Sequence, residues 1–500
     1  MPPRLMSPRL ICTALMAAFT LSAHPAHGMD LLEAVKSAIE IDPVVTGAKF
    51  TELAVRERIV QARAGLLPTV NATAGGNFNV TNTTLTDQRF YDGQSVNLQA
   101  NLPVYRPANN ELLAQSELNA QIARLQWLQA EQDLVVRVAT AYFDVLAAQD
   151  SLAVVQAQKG AFAEQFESAR RNFEVGTATI TDQQEAQSRL DLTRAQEVAI
   201  TNDLQVKKAL LAQLTGKSVD QLNTLRLGID VTAPDAAREA EWAQLAREQN
   251  FTVRQAELVA EVAKREIERQ RAGHLPTLDL VSQVIAGRST NAQTAANLVG
   301  VRNQFGTLGL QLALPIYQGG AVSARVREAI SLQAKSEYDI ENARRIAEQT
   351  ARATFLGVRS GIEQVRALTA AEKSSQLALE SNQLGYQVGV RINIDVLNAA
   401  QQLFSTQRDL ARARYDVLLN SLKLRNTTAD LLEPEVARVN ALLEPPRAPA
   451  VGVIRSGAPF PMGSGAGAGS TGSVPVDAKP TSPVDTGVRG GRGAVPRAPR

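Results

Sequence analysis

Ala64-Gly65-Leu66-Leu67-Pro68-Thr69 comes back as Ala272-Gly273-His274-Leu275-Pro276-Thr277, 208 residues later. Leu102-Pro103-Val104-Tyr105 comes back as Leu314-Pro315-Ile316-Tyr317 at an offset of 212, and Val175-Gly176 with Asp182 comes back as Val388-Gly389 with Asp395 at 213. Three anchors in one order at nearly one spacing are an internal duplication. A period of about 210 residues is far longer than a solenoid unit, so each copy is a half-structure of a pseudo-symmetric whole.

Outward from these anchors, both halves run through the same textures. A helical opening, Asp30 to about Gly65 and about Glu241 to Gly273, stops at the A-G-x-L-P-T junction, where Gly and Pro punctuate a helix. Alternation follows: Val96, Leu98, Ala100 and Leu102 interleave with Asn97, Gln99 and Asn101, and Leu308, Leu310, Leu312 and Leu314 repeat the period of two. Each half therefore carries one β-hairpin with one apolar face. From about Ala108 to Glu174 there is no proline and one glycine, Gly160, and the second half matches this from about Ala321 to Gln387. At ~1.5 Å per residue such a helix runs ~100 Å and needs lateral partners. Each run ends at a Val-Gly turn and a shorter helix folds back, about Thr181 to Leu214 and about Asn393 to Thr428. The expected fold is mainly α with a small β part, two long helical hairpins and two β-hairpins.

Residues 29–215 form the first repeat, 216–240 a linker, 241–432 the second repeat and 433–444 the end of the folded region. At the front, Arg4 and Arg9 precede the apolar run Leu10 to Ala23 and then Ala26-His27-Gly28, so residues 1–28 read as a secretory signal peptide. Its removal takes Cys12, the single cysteine, leaving no disulfide and no thiol for a lipid. Residues 445–500, rich in Pro, Gly, Ser, Ala and Arg, cannot bury a core and read as disordered. Both ends are basic. The chain totals +2, so residues 29–444 carry a net −5, and nucleic-acid binding has no support. Aromatics at 4% fit long helices packed through small side chains.

Four short strands cannot close a barrel, and an open apolar face suits neither water nor lipid. No apolar stretch of membrane-spanning length is expected after the signal, so the strands suit an outer-membrane β-barrel, to which three copies supply twelve strands. Soluble sheets and coiled coils share these patterns. A periplasmic structural coiled coil or adaptor protein is therefore the alternative.

The junction A-G-x-L-P-T before each hairpin, L-P-[VI]-Y after it, and the turns Phe173-Glu174-Val175-Gly176 and Tyr386-Gln387-Val388-Gly389 carry a resemblance. Across nearly all of positions 30–432 the chain resembles the TolC family of trimeric outer-membrane channel-tunnel proteins. That resemblance implies a homotrimer with a twelve-strand β-barrel in outer-membrane lipid and a twelve-helix α-barrel crossing the periplasm. It implies a passive exit duct of a tripartite efflux pump or type I protein secretion system, opened at its periplasmic tip by untwisting of the helical hairpins. The implied partners are a periplasmic adaptor (membrane fusion) protein and an inner-membrane ABC or RND-type translocase. No catalytic residue, cofactor or metal is expected, because no P-loop, metal-ligand spacing or GxSxG elbow occurs. His274 aligns with Leu66 of the first half and reads as structural.

At the hairpin tips the halves diverge. A shift of 213 places Tyr386 on Phe173 and Arg391 on Ala178, while Asp395 falls on Asp182. By resemblance, Tyr386 and Arg391 donate to Thr181 and Asp182 and hold the periplasmic mouth shut; a phenol and a guanidinium suit a carboxylate acceptor. Asp395 is implied to form a ring of carboxylates at the constriction, whereas Asn398, like Gln383, stands where relatives can carry an acid. Val175, Gly176, Thr177, Val388, Gly389 and Val390 resemble the segments that receive the adaptor, although glycine is equally required by the turn itself. Tyr105 and Tyr317 read either as membrane-interface anchors or as junction packing, and Trp127 and Trp242 as packing residues.

Overall fold

The computed structural model describes residues 28–83, 86–219, 221–226, 238–289 and 301–445; the signal peptide and almost all of the tail lie outside the described residues. In the first repeat α1 (Leu31–Ile41) and α2 (Pro43–Ala64) precede a hairpin of β1 (Thr69–Thr83) and β2 (Thr86–Tyr105). The long α3 (Pro107–Glu174) and the returning α4 (Ile180–Thr215) follow. After the short β3 (Thr224–Leu225) the order recurs as α5 (Glu239–Gln249), α6 (Phe251–Arg271), β4 (Thr277–Ser289), β5 (Val301–Ala313), α7 (Ala321–Gln387) and α8 (Asn393–Thr427). Finally come α9 (Glu433–Asn440) and β6 (Leu443–Glu444).

The opening helix of each half is two helices, a correction to the single helix expected. α1 stops at Asp42, whose extended backbone frees its carboxylate to accept from Val44 N and Val45 N, both at 2.9 Å. Pro43 has no N–H to donate and keeps the residue before it out of the helical region. In the second half Asn250 does the same work, accepting from Thr252 N at 2.9 Å. Both breaks cap the orphan N–H groups of a new helix. They lie 208 residues apart, the offset of the A-G-x-L-P-T junctions. The duplication therefore reaches down to the helix caps.

α3 and α7 are 68 and 67 residues long, ~100 Å each at the α-helical rise. α2 and α4 pack along α3, α6 and α8 pack along α7, and α3 also touches α6 and α8. Against the expectation, an 18-residue window of α3 reaches a mean hydropathy of 1.3, apolar enough by composition to cross a membrane. Its helix instead carries Leu134, Val138, Tyr142, Val145 and Leu146 into the largest core cluster, against α1, α8 and α9. Inside this cluster the buried Tyr142 hydroxyl faces the carbonyls of Met29 and Asn223 at 3.0 and 2.9 Å, and burial pushes its phenol far above the ordinary range. The described linker residues 221–226 are therefore held: β3 pairs antiparallel with β6, and Met29 bridges to Leu222. Tyr142→Phe removes the single O–H that these two carbonyls share and is expected to cost about 1–3 kcal/mol, read as earlier thermal unfolding in detergent.

Where α6 meets α3, Glu266 accepts from Gln115 at 2.8 Å, from Arg269 at 2.7 and 2.8 Å, and from Gln270. These bonds, that from Arg269 foremost, hold its carboxyl down at about 2. A depressed acid stabilises the fold above its unfolded value of 4.5 and loses that contribution as pH falls through about 2. The stability advantage over Glu266→Gln should accordingly be full at neutral pH and vanish on acidification through that window, as followed by thermal unfolding.

The four long strands form one antiparallel sheet in the order β1-β2-β4-β5, so the hairpins of the two repeats join through β2 and β4, with Leu98 opposite Val284. Register carries the apolar alternation across all four strands in the rows nearest the helices. Val70, Ala100, Ser282 and Leu308 lie in one row, and Ala72, Leu98, Val284 and Gly306 in the next. On that face Val70, Leu98, Val284, Leu308, Leu310 and Leu312 are all exposed. The opposite face carries Asn71, Asn97, Gln99, Asn101, Gln283 and Thr307. At the strand-to-helix junction Arg106 grips Asp279 bidentately at 2.9 and 2.6 Å, locking one repeat to the other. Among the described residues, the outer edges of β1 and β5 have no strand beside them.

Candidate functional site

Both helical hairpins turn in the same way. α3 runs out at Val175, Gly176 takes φ 76°, and the Asn172 carbonyl accepts from Thr177 N at 2.7 Å and Ala178 N at 3.2 Å. α7 runs out at Val388, Gly389 takes φ 78°, and the Gly385 carbonyl accepts from Val390 N at 2.8 Å and Arg391 N at 3.1 Å. Nothing lies within 4 Å of a Cβ built on either turn glycine, so it is the left-handed backbone that requires glycine there, rather than a close approach. Gly385 differs: a Cβ there would lie 2.7 Å from Arg391 Cγ, so the missing side chain seats the arginine stem. Around the turns Val175, Val388, Val390, Ile180 and Ile392 are exposed. The docking segments expected from the sequence are thus apolar points on two rigid turns.

The expected gate residues are near one another but not all bonded to one another. The Tyr386 hydroxyl accepts from Asn172 Nδ2 of α3 at 3.2 Å, which leaves its own O–H for a further acceptor. Arg391, in the turn that precedes α8, lies 3.7 Å from Asp395 in the first turn of that helix. Asp182 caps α4, its carboxylate accepting from Thr179 N at 3.0 Å and Thr179 Oγ1 at 2.6 Å in a reciprocal capping box. Thr181 is exposed in the first turn of α4. Among the described residues no bond runs within the protomer from Tyr386 or Arg391 to Thr181 or Asp182. Asn398 is exposed and accepts from Arg189 Nη2 of α4 at 3.2 Å.

Sequence reading missed a set of amides beside these residues. Asn393, the first residue of α8, accepts from Gln165 of α3 and donates to the Asp182 carbonyl of α4 at 3.2 Å. Arg189 reaches Gln401 as well as Asn398. The signal for them was the one that singled out Tyr386: under the shift of 213, Asn393 falls on Ile180, Arg189 on Gln402 and Gln165 on Ala378. The repeat fails at each of these positions too. Beneath them Phe162, Ala169, Ala186, Leu190, Val396 and Leu397 form an apolar seam.

Electrostatics around the tips are mild. Exposed Asp191 sits below the usual carboxylate range because Gln187 and then Arg194 bond to it. Farther up the α3–α8 seam, burial pushes the Asp150 carboxyl upward although Tyr415 donates to it at 2.6 Å; burial, then Asp150, pushes the Tyr415 phenol up. Trp127 packs on the largest core cluster, and Trp242 packs beside Phe355 with Arg425 5.4 Å above its ring. Tyr317 is 87% exposed against 46% for Tyr105, so neither tyrosine is packed away at its junction.

A sheet with one exposed apolar face, continuous with paired helical hairpins of ~100 Å, defines an outer-membrane duct rather than a soluble bundle. The pattern of the outer membrane efflux protein family matches residues 34–217 and 242–429, one stretch in each repeat. The chain is 33% identical over 420 residues to outer membrane protein TolC of Vibrio cholerae serotype O1, covering 83% of this chain and 94% of that protein. It is 30% identical over 438 residues to the proteases secretion protein PrtF of Dickeya chrysanthemi, covering 85% and 94%. The crystal structure of CusC has the same fold, with a TM-score of 0.69 at 18% identity over 80% of this chain and 92% of that one. VceC of Vibrio cholerae gives 0.68 at 16% identity over 80% and 96%. The chain belongs to the outer membrane efflux protein family, and it is an outer-membrane exit duct.

Proposed function

We propose that this chain assembles as a homotrimer whose three sheets close a twelve-strand barrel in the outer membrane and whose helical hairpins continue it as a twelve-helix tunnel through the periplasm. The observation that carries this reading is the four-stranded sheet. It exposes an apolar face on all four strands at the end nearest the helices and ends on β1 and β5 edges that have no strand beside them among the described residues, and both conditions are relieved when β5 of one copy meets β1 of the next in lipid. The polar face, with Asn97, Gln99 and Asn101, then lines a wet lumen. The duct is passive and carries no catalytic group or cofactor.

Cargo enters from an inner-membrane ABC or RND-type translocase through a periplasmic adaptor. The adaptor docks on Val175-Gly176-Thr177 and Val388-Gly389-Val390, the exposed turns. Tyr386 and Arg391 of one hairpin meet Thr181 and Asp182 of another at the closed mouth, and Asp395 with Asn398 lines the constriction. The likeness to a proteases secretion protein and the match to an efflux family support both secretion and efflux as uses of the duct. Heat-modifiable trimers in outer-membrane fractions that co-purify with an adaptor and a translocase are the expected result. Recovery as a soluble periplasmic protein would overturn it.

A further inference from the structure

We propose that Asn393 is the positioning residue that latches α8 onto α3 and α4 within each protomer, a lock separate from the links of Tyr386 and Arg391. The proposal rests on reading the tips as the gate. Asn393 is 1% exposed, yet its amide is bonded at both ends: Oδ1 accepts from Gln165 on α3, and Nδ2 donates to the Asp182 carbonyl on α4. A buried amide is tolerated only while its bonds are made. Three helices therefore have to stand in one arrangement for Asn393 to be satisfied. Any outward swing of α8 from the outer hairpin strands the Gln165 donor and the Asp182 carbonyl until water reaches them.

The surroundings favour a neutral lock. Val396, Leu397 and Ala400 continue the apolar seam directly beyond Asn393 on α8, so little but this amide confers direction on the contact. Two turns farther on, Arg189 of α4 grips Asn398 and Gln401, a second clasp between the same two hairpins. The charged side chains nearest in the chain make their own contacts rather than bonding this amide. The Asp182 carboxylate is held by Thr179, and Asp395 faces Arg391. The first repeat has Ile180 in the place of Asn393 and the second has Ala378 in the place of Gln165, so only one pairing of hairpins per protomer can be latched in this way.

Asn393→Asp tests this with almost no change of shape. At neutral pH the new carboxylate still accepts from Gln165 but cannot donate to the Asp182 carbonyl, which it repels. Burial and the facing carbonyl raise its pKa above the solution value of about 4, and once protonated it regains a donor. Single-channel conductance of assembled Asn393→Asp trimers in planar bilayers, divided by that of wild type at each pH, is expected to be about twofold or more at neutral pH and to fall back toward one at about pH 4. Gln165→Ala deletes the other bond without adding charge, and its ratio is expected to be raised at both pH values. A ratio of one for both variants, or an Asn393→Asp increase that ignores pH, overturns the latch. If Asn393→Asp does not assemble, Gln165→Ala decides alone: a raised ratio supports the latch and a ratio of one overturns it. Wild-type trimers that form no channel would sink the duct reading instead.

Discussion

Trimers carrying Tyr386→Phe together with Arg391→Ser are expected to assemble normally and to conduct several-fold more current than wild type in planar lipid bilayers. Neither residue belongs to an apolar core that assembly needs. Tyr386 is only partly buried at the edge of the tip seam, and Arg391 is 58% exposed. What they supply is donors. The Tyr386 oxygen already accepts from Asn172, so its O–H points to another acceptor, and Arg391 spends little on Asp395 at 3.7 Å. Asp182 accepts two bonds from Thr179, but a carboxylate has about four lone-pair sites, so capping α4 leaves room for a donor from a neighbouring hairpin. Hydrogen bonds to charged groups are worth about 1.5–3 kcal/mol each. Losing two shifts the closed-to-open ratio by about a hundredfold or more. Unchanged conductance in properly assembled trimers would show that these donors hold nothing shut.

How much of this was legible follows from where each signal sits. The long helices were plain because no proline interrupts Ala108–Glu174 or Ala321–Gln387, and their observed limits fall within about a residue of those read. Alternation in Val96 to Leu102 and Leu308 to Leu314 identified the strands, because a strand with one apolar face repeats every two residues. The breaks at Asp42 and Asn250 were missed because helix-forming residues continue on both sides. Asp42-Pro43 was a readable stop, whereas Asn250-Phe251 has only its cap to mark it. β3 and β6, two residues each, are too short to carry any period. At the tips, Tyr386 and Arg391 drew attention because they add functional groups to a shared turn. Asn393 did not, because an asparagine at a helix start reads as a cap. Its side chain instead leaves its own helix altogether, a tertiary choice that local pattern does not encode.

Wild-type channels are expected to resist block by a trivalent cation at low concentration, and Asn398→Asp is expected to lower the blocking concentration about tenfold or more. In the proposed trimer Asp395 would supply three carboxylates around the axis, each with its own Arg391 at 3.7 Å. One turn along, Asn398 supplies none, and the structure places the Arg189 guanidinium 3.2 Å from its oxygen, a cation where a second acidic ring would stand. A trivalent ion entering this mouth thus meets a single attenuated ring and a repulsive neighbour. A pair of unit charges at 4 Å is worth about 1 kcal/mol even in water, so three added carboxylates, one beside each Arg189 of the proposed trimer, cancel the repulsion that those cations exert on a trivalent ion. Adding Arg189→Gln to Asn398→Asp removes that cation and should deepen the block further. The test is titration of conductance with the cation from the periplasmic side at fixed ionic strength, since screening beyond about 8–10 Å would blur any weaker field. Strong block of wild type, or no gain in Asn398→Asp, would mean that Asp395 alone sets the field and that Asn398 and Arg189 lie outside the ion path.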